Sequence, residues 1–299
     1  MGSKQSKAGP VATPVRFRKI PDTFETYGNV LAVESTWIYM GLMGASEELE
    51  RALRAAGLES SNLIIGIDYT KSNTWTGQRT FNGKCLHAID PTEQTWNPYQ
   101  HVISIMGRTL ELFDDDKLIP VFGFGDATTG GSACFPFLPD QQKCHTFAQV
   151  LARYNQITPG INLAGPTNFA PIIREAINIC QHNRSYHILV IIADGHVNNQ
   201  DETLRAIVEA SAYPLSIIMV GVGDGPWVLL YSRDMMEKFD DCLPARRFDN
   251  FQFVEYAKMI RYNRVNPDVG FATAALMEIP GLMGICIAQY KLIRDAGML

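Results

Sequence analysis

The sequence has few groups of the kind that bind soft metals or form disulfide bonds. Its 299 residues include six cysteines and six histidines. The cysteines are scattered, no two of them form a Cys-x-x-Cys pair, and none stands with histidine at the spacing of a zinc site. This pattern excludes a zinc-finger type of domain and predicts reduced thiols.

Long apolar runs are also missing. The longest two, residues 37–45 and 281–288, have about half the length that a membrane-spanning helix requires. The first 20 residues contain no apolar segment of the kind found in secretory signal peptides. The sequence therefore predicts neither a transmembrane helix nor secretion. We expect a cytoplasmic protein, with peripheral attachment to the plasma membrane or a nuclear location left open.

Positive charge is not in excess either. The chain has 26 lysines and arginines against 31 aspartates and glutamates, which gives a formal net charge of −5. No basic stripe dominates the sequence, so a nucleic acid is not expected as a partner.

What the sequence does contain is a regular alternation of apolar strands and amphipathic helices. Hydrophobic residues make up 46% of the chain, which is enough for a sizeable core. The pattern predicts strands at 63–67, 118–124, 187–193, 215–222 and 247–254, and helices at 99–112, 147–154, 170–181, 202–212 and 268–278. This order predicts an α/β fold, a doubly wound and mostly parallel sheet flanked by helices, Rossmann-like in its layers.

The composition divides the chain into three parts. Residues 1–46 begin with a stretch rich in proline, serine and basic residues, which predicts a flexible arm. Residues 47–279 carry the alternating pattern and are expected to form one domain, and residues 280–299 are expected to be a C-terminal tail.

An aspartate follows four of the predicted strands at the carboxyl end, at Asp68, Asp126, Asp194 and Asp224. Ligands of doubly wound sheets bind at this edge. Aspartate is also an ordinary turn residue and helix cap, so each of the four can equally well be structural. For Asp126 both interpretations stay open, support of the site through a neighbouring residue or capping of a turn.

Three segments are expected to meet at this edge and to offer oxygen ligands. The first is Asp68-x-Thr70-x-Ser72, the second is a turn that presents Thr167, and the third ends the central strand at Asp194. Together they supply two carboxylates and three hydroxyls. An oxygen-only set of this kind suits a small hard cation, Mg²⁺ or Mn²⁺.

The same residues favour binding over catalysis. A phosphatase that uses the strand-end aspartate as nucleophile needs a second acid two residues later, and that position is Thr70. No histidine or thiol stands beside the motif as a base or nucleophile, and His196 is expected to be a plain loop residue. No catalytic residue is therefore predicted, and a Mg²⁺-dependent phosphatase remains only a remote alternative. The glycines of Gly221-Val-Gly-Asp-Gly225 lack the helix start that a nucleotide site requires.

Several long motifs occur in order along the chain. They are Asn62-Leu-Ile-Ile-Gly-Ile-Asp-Tyr-Thr-Lys-Ser-Asn73, Pro120-Val-Phe-Gly-Phe-Gly-Asp126, Gly165-Pro-Thr-Asn-Phe-Ala-Pro171 and the segments 186–195 and 214–227. Over about residues 47–279 the chain thereby resembles the von Willebrand factor A domain of copines and of the RGLG-type ubiquitin ligases. The resemblance implies a metal-ion-dependent adhesion site, in which an acidic side chain of a protein partner completes the coordination. The implied ligands are Asp68, Thr70, Ser72, Thr167 and Asp194.

The chain departs from these families in two respects. The ligases end in a RING finger, whereas the residues after 291 contain no zinc ligands. We therefore expect divalent-metal-dependent protein binding, with a RING-less or truncated member of the ligase family, acting in ubiquitination, as the alternative. Three apolar segments (29–45, 228–233 and 281–288) look inserted, and they are either an interaction patch or translated introns.

The first residues, Met1-Gly2-Ser3-Lys4-Gln5-Ser6, fit the pattern for N-myristoylation at Gly2. One acyl chain binds a membrane only marginally, so a second signal is needed. Basic residues provide it, and an anionic membrane surface is therefore an expected partner of the arm. These residues are Lys4, Lys7, Arg16, Arg18 and Lys19.

Overall fold

The structure is a computed structural model that describes residues 45–55, 58, 61–92, 94–114, 116–195, 197–225, 246–263, 265–276 and 279. Several predictions lie outside these residues. They concern Gly2 and the basic arm, His196, the C-terminal tail, and the three apolar segments apart from residue 45.

Six strands form one sheet in the order β3-β2-β1-β4-β5-β6. All neighbours are parallel except β2 and β3, which pair antiparallel. The predicted fold class, a doubly wound and mostly parallel sheet, is confirmed. The strands are β1 Asn62–Asp68, β2 Val121–Phe124, β3 Cys134–Pro136, β4 His187–Ala193, β5 Leu215–Gly221 and β6 Phe251–Glu255.

The α-helices of the described residues connect and cover these strands. They are α1 Ala45–Ala55, α2 Pro98–Leu110, α3 Phe147–Ile157, α4 Ala170–Asn183, α5 Gln200–Ala210, α6 Tyr256–Tyr262 and α7 Pro267–Leu276. Their starts are set by local chemistry. The Asn97 side chain accepts from the Gln100 N–H and the Gln100 side chain accepts from the Asn97 N–H, which closes a capping box at the start of α2. No helix among the described residues is long and apolar enough to cross a membrane.

The core lies on the two faces of the central strands. Every residue of β1, β4 and β5 is buried, as expected of largely apolar parallel strands that are covered on both sides. Alternate residues of these strands, such as Ile64, Leu189 and Ile217, share one cluster with Ile172 of α4 and Ile207 of α5. The carboxyl ends of β1 and β4 are thereby fixed side by side.

The structure also contains elements that the sequence did not predict. β3 has three residues, includes Pro136 and lies at the sheet edge, so it carries neither the length nor the alternation of a typical strand. α1 begins at Ala45, two residues before the expected start of the domain, and α6 was not predicted at all. β6 begins at Phe251 rather than at residue 247.

Candidate metal centre

Two aspartates meet where β1 and β4 end. Asp68 is the last residue of β1, and Asp194 follows the last residue of β4. The strands are parallel neighbours with Ile67 opposite Ile192, so their carboxyl ends reach the same edge of the sheet. Both aspartates are fully buried. The sheet topology alone therefore brings two carboxylates together.

A chain of hydrogen bonds joins four of the five predicted ligands. The Thr70 N–H donates to Asp68 Oδ1 at 2.8 Å, and the hydroxyls of Thr70 and Ser72 lie 2.9 Å apart. The Ser72 hydroxyl donates to Asp194 Oδ1 at 2.9 Å. This geometry arises because Thr70 is extended and a short 3₁₀ helix, Lys71–Thr74, then turns the chain. The local motif and the distant aspartate thus form one cluster.

Thr167 lies on the wall of the cleft into which this cluster opens. The cleft has a volume of about 470 Å³. The Thr167 N–H donates to the Asn198 side chain at 2.8 Å, and the Asn198 N–H donates to the Thr167 carbonyl at 2.9 Å, which fixes the turn. The cleft is lined by Thr70, Lys71, Ser72, Trp75, Thr76, Ala164, Gly165, Pro166, Thr167, Gly195, Asn198, Asp224 and Gly225.

No positively charged side chain of the described residues pairs with the two buried carboxylates. Burial and the neighbouring charge of Asp194 raise the pKa of Asp68 well above its ordinary value, and burial also raises the pKa of Asp194. Asp68 Oδ2 is buried and accepts no hydrogen bond from an N–H or hydroxyl group of the described residues. Its polar neighbour is the Asp194 carboxyl, and the contact between the two carboxyls also raises the pKa of Asp68. A buried carboxylate oxygen that no donor group of the described residues contacts, next to a second carboxylate, is the environment that a cation would satisfy.

The donor set decides which metal fits. Among the residues that the structure describes, no three histidine, cysteine, aspartate or glutamate side chains gather at one point. A metal at this site would therefore depend on hydroxyl oxygens in addition to the two carboxylates. Neutral and anionic oxygens suit Mg²⁺ or Mn²⁺, and they do not suit a metal that prefers nitrogen or sulfur. The residues fit the predicted cation.

Three side chains that were not predicted as part of the site contact the Asp68 carbonyl oxygen. His87 Nε2 lies 2.8 Å from the Asp68 carbonyl oxygen, which also accepts from the Tyr99 hydroxyl at 3.2 Å and from the Asn73 amide at 3.4 Å. The His87 ring stacks between Tyr69 and Tyr99, with centroids 4.7 and 4.0 Å away. These contacts fix the position of the Asp68 main chain.

The protonation of His87 follows from its burial. Burial lowers the pKa of His87 to about 3, so the ring is neutral at physiological pH. Because Nε2 faces a carbonyl oxygen, it carries the proton, and Nδ1 accepts from the Tyr154 hydroxyl at 2.8 Å. His87 is therefore a structural donor and not a proton-transfer group.

Two further residues shape the cluster. The Thr76 hydroxyl donates to Asp194 Oδ2 at 2.5 Å. This contact was not predicted, because Thr76 lies beyond the Asp68-x-Thr70-x-Ser72 motif. Gly125 has a φ of +81°, and a Cβ at this position would lie 2.4 Å from Cγ2 of Thr70. A side chain there would displace Thr70 from the cluster.

The other two strand-end aspartates are not part of the cluster. Both carboxylate oxygens of Asp126 accept from the N–H groups and hydroxyls of Thr128 and Thr129, so this residue caps a turn. The Asp224 carboxylate accepts from the N–H groups of Arg79 and Thr80 at 2.7 and 2.9 Å. Through these hydrogen bonds, Asp224 links the loop that contains Arg79 and Thr80 to the segment after β5.

The sequence also matches a known protein family. The copine family model matches residues 85–294, which is more than half of the chain. The chain belongs to the copine family. This copine-family chain is 50% identical over 276 residues to E3 ubiquitin-protein ligase RGLG1 of Arabidopsis thaliana, covering 87% of this chain and 52% of the ligase. It is 51% identical over 256 residues to Copine family protein 2 of Caenorhabditis elegans, covering 85% of this chain and 3% of that protein.

The resemblance to copines and to RGLG-type ligases is thus confirmed, over part of those proteins. The copine-family chain spans about half of the ligase and a small fraction of the worm protein. Among solved structures, manganese-loaded TRAP protein of Plasmodium vivax is similar with a TM-score of 0.42 and 12% identity, covering 71% of this chain and 74% of that one. This similarity is too low to carry a conclusion about binding.

Proposed function

We propose that this copine-family domain binds a protein partner through a divalent cation, Mg²⁺ or Mn²⁺, at the cleft beside β1 and β4. The observation that carries the proposal is the buried Asp68 Oδ2, which has no hydrogen-bond donor among the described residues. It lies in a cluster with a second buried carboxylate and several hydroxyls that opens into a cleft of about 470 Å³. These features fit a cation that is accessible to another molecule.

The side chains of this proposed site have distinct roles. The carboxylates of Asp68 and Asp194 balance the charge of the cation, and the hydroxyls of Thr70, Ser72 and Thr167 provide neutral ligands. The bound cation supplies a positive charge and an open coordination position for a carboxylate of the partner. Neither histidine nor cysteine is among the described residues that line the cleft, which favours binding over catalysis.

Titration calorimetry with Mg²⁺ and with Mn²⁺ tests the proposal. Wild-type protein is expected to bind one cation, and Asp68→Ala is expected to lose this binding. Asp126→Asn is the matched control, because Asp126 also follows a strand but its carboxylate is engaged by Thr128 and Thr129. Equal cation binding by wild type and Asp68→Ala would refute the proposal.

A second proposal concerns ubiquitin transfer. The observation that favours it is the 50% identity to an E3 ubiquitin-protein ligase over 276 residues. We propose that this chain contributes to protein ubiquitination by recruiting other proteins through the cleft. A reconstituted assay with activating enzyme, conjugating enzyme and ubiquitin is expected to give no ubiquitin chains with this polypeptide alone, and chain formation would show that it is itself a ligase.

For the location of the protein, we propose a cytoplasmic pool that attaches to anionic membranes through the arm acylated at Gly2. The sequence pattern of the first residues supports this proposal. Mass spectrometry of the intact protein from a eukaryotic host is expected to find a myristoyl group, and an unmodified Gly2 would contradict the proposal.

A further inference from the structure

One aromatic side chain stands apart at the rim of the cleft. The Trp75 residue is 54% exposed. Other large hydrophobic residues of the described part are also exposed, but Trp75 alone among them lines the cleft. The main chain at Trp75 is fixed next to two predicted ligands, Thr70 and Ser72, since the Trp75 N–H donates to the Ser72 carbonyl at 2.9 Å. Trp75 therefore lines the same cleft as Thr70, Ser72 and Thr167.

The same loop places a positive charge at the rim. Lys71 is exposed, begins the 3₁₀ helix that Trp75 follows, and lines the cleft. Within the described part of the chain it forms no ion pair. Asp224, the acidic residue of the lining, has its carboxylate bound by Arg79 and Thr80. With a cation balancing Asp68 and Asp194, the uncompensated charge of the rim is positive.

We propose that the cleft recognises an acidic linear segment of a protein partner, with an aromatic or large aliphatic side chain beside the metal-binding acid. That apolar side chain packs on Trp75, and a second acidic residue of the segment pairs with Lys71. This inference rests on the proposed function, because it assumes that a carboxylate of the partner reaches the bound cation.

Physical considerations favour this ligand over an acidic residue alone. A lone carboxylate on a cation gives little discrimination, because every protein surface carries such groups. An exposed indole adds apolar area, and aromatic side chains dominate the energetics of binding sites. A cleft of about 470 Å³ also has the volume of a site for a few side chains. Trp75 is thus placed to determine specificity.

Synthetic peptides provide the test. Each fluorescein-labelled heptapeptide has a central glutamate, glycine elsewhere, and either phenylalanine or aspartate at one flanking position in turn. Fluorescence polarisation in excess Mg²⁺ is expected to find that phenylalanine at a preferred position raises the affinity for wild-type protein about five- to tenfold over the all-glycine background. Trp75→Ala is expected to lose this gain, and Trp75→Phe to keep most of it.

Two control variants, Trp96→Ala and Lys84→Gln, show whether the effects are specific to Trp75 and Lys71. Trp96 is also exposed, at 37%, but its ring lies against His101 and it does not line the cleft, so Trp96→Ala is expected to bind like wild type. Lys71→Gln is expected to lose the gain from the added aspartate, and this gain is expected to fall with rising salt. Lys84→Gln, which changes a lysine outside the lining, is expected to keep it.

The outcomes distinguish this inference from the proposed function. Mg²⁺ affinity measured by calorimetry is expected to be unchanged in Trp75→Ala. If Trp75→Ala prefers the phenylalanine peptides as strongly as wild type, the inference is overturned while the metal site stands. If wild type binds Mg²⁺ but none of the peptides, a linear acidic segment is not the ligand. If wild type binds no Mg²⁺ or Mn²⁺, the proposed function itself fails.

Discussion

The oxygens of a single residue, Asp68, have three different environments. Oδ1 accepts from the Thr70 N–H, the carbonyl oxygen accepts from side chains behind the strand, and Oδ2 accepts from none of the described residues. Hydrogen bonds therefore hold two of its oxygens, whereas the third is buried and has no donor among the described residues. This asymmetry separates a binding position from an ordinary turn aspartate such as Asp126, whose two oxygens are both engaged.

A substitution tests the charge conflict at this residue. In excess chelator, the free energy of unfolding of Asp68→Asn is expected to exceed that of wild type by on the order of 1 kcal/mol, because the substitution removes one of two buried like charges. The variant therefore unfolds at a higher temperature. The amide keeps an oxygen for the Thr70 N–H. Scanning calorimetry with chelator measures the difference. Asp126→Asn relieves no repulsion between buried carboxylates, so its unfolding temperature is expected not to exceed that of wild type.

The pH dependence of this difference has a definite sign. The pKa of Asp68 is raised in the folded protein, so the folded state holds the proton more tightly than the unfolded state, and stability is lost as the pH rises. The advantage of Asp68→Asn is therefore expected to shrink as the pH falls towards about 3.9, the ordinary pKa of an unfolded aspartate. An advantage that grew on acidification would contradict this assignment.

At the scale of elements, the cleft is assembled from the segments that follow β1, β4 and β5 and from the loop before α4. β1 ends at the predicted ligand Asp68, the loop after it carries Thr70 and Ser72, and the segment after β4 carries Asp194. The loop after β5 does not supply a ligand of the cluster. Instead, its Asp224 binds the main chain of Arg79 and Thr80, which belong to the loop after β1. The strand ends thus hold one another in place.

Hydrogen exchange tests this connection between loops. Asp224→Ala removes a charged acceptor from the N–H groups of Arg79 and Thr80. Exchange at these two amides is expected to rise about 10- to 100-fold, because hydrogen bonds to charged groups contribute about 1.5–3 kcal/mol each. Asp126→Ala is the control and is expected to raise exchange at Thr128 and Thr129 instead. Unchanged protection of residues 79 and 80 would show that other contacts hold the loop.

Some elements were predictable from sequence because they carry their own signal. β1, β4 and β5 are buried throughout, so their apolar runs identified them directly. β3 was not predicted, because a strand of three residues that includes Pro136 is too short to show an alternation of apolar and polar residues. At the site, the motif at Asp68 and the position of Asp194 after a strand could be identified from the sequence. Their metal binding stays a prediction.

The residues that sequence reasoning missed act through distant contacts. His87 reaches the Asp68 carbonyl across a span of 19 residues, and Thr76 reaches Asp194 across 118. No spacing rule connects such pairs. Their roles depend on how the aromatic rings and the loop pack, which becomes visible only once the chain is folded.

For the whole molecule, the site and the core share the same strands. The carboxylates that end β1 and β4 continue the most buried part of the sheet. Binding of a cation to the folded state alone therefore stabilises the entire domain. At a Mg²⁺ concentration of one hundred times Kd, the expected gain is about 2.7 kcal/mol.

Thermal unfolding measures this gain. Mg²⁺ at that concentration is expected to raise the Tm of wild type by about 5–10 °C, since a domain of this size gains about 2–4 °C per kcal/mol. Asp68→Ala is expected to show no shift. Chelator added to the Mg²⁺-loaded protein is expected to reverse the gain. A wild-type Tm that does not depend on Mg²⁺ or Mn²⁺ would mean that these cations do not bind the folded state.

The exposed indole of Trp75 also provides the domain with an optical probe. Indole emission moves to shorter wavelengths when water leaves the ring, so burial of Trp75 by a partner would change the intrinsic fluorescence of the protein. Trp96, which lies outside the cleft lining, would contribute a constant background. Occupancy of the cleft could therefore be followed in real time, without a label on either molecule, from the difference between wild type and Trp75→Phe.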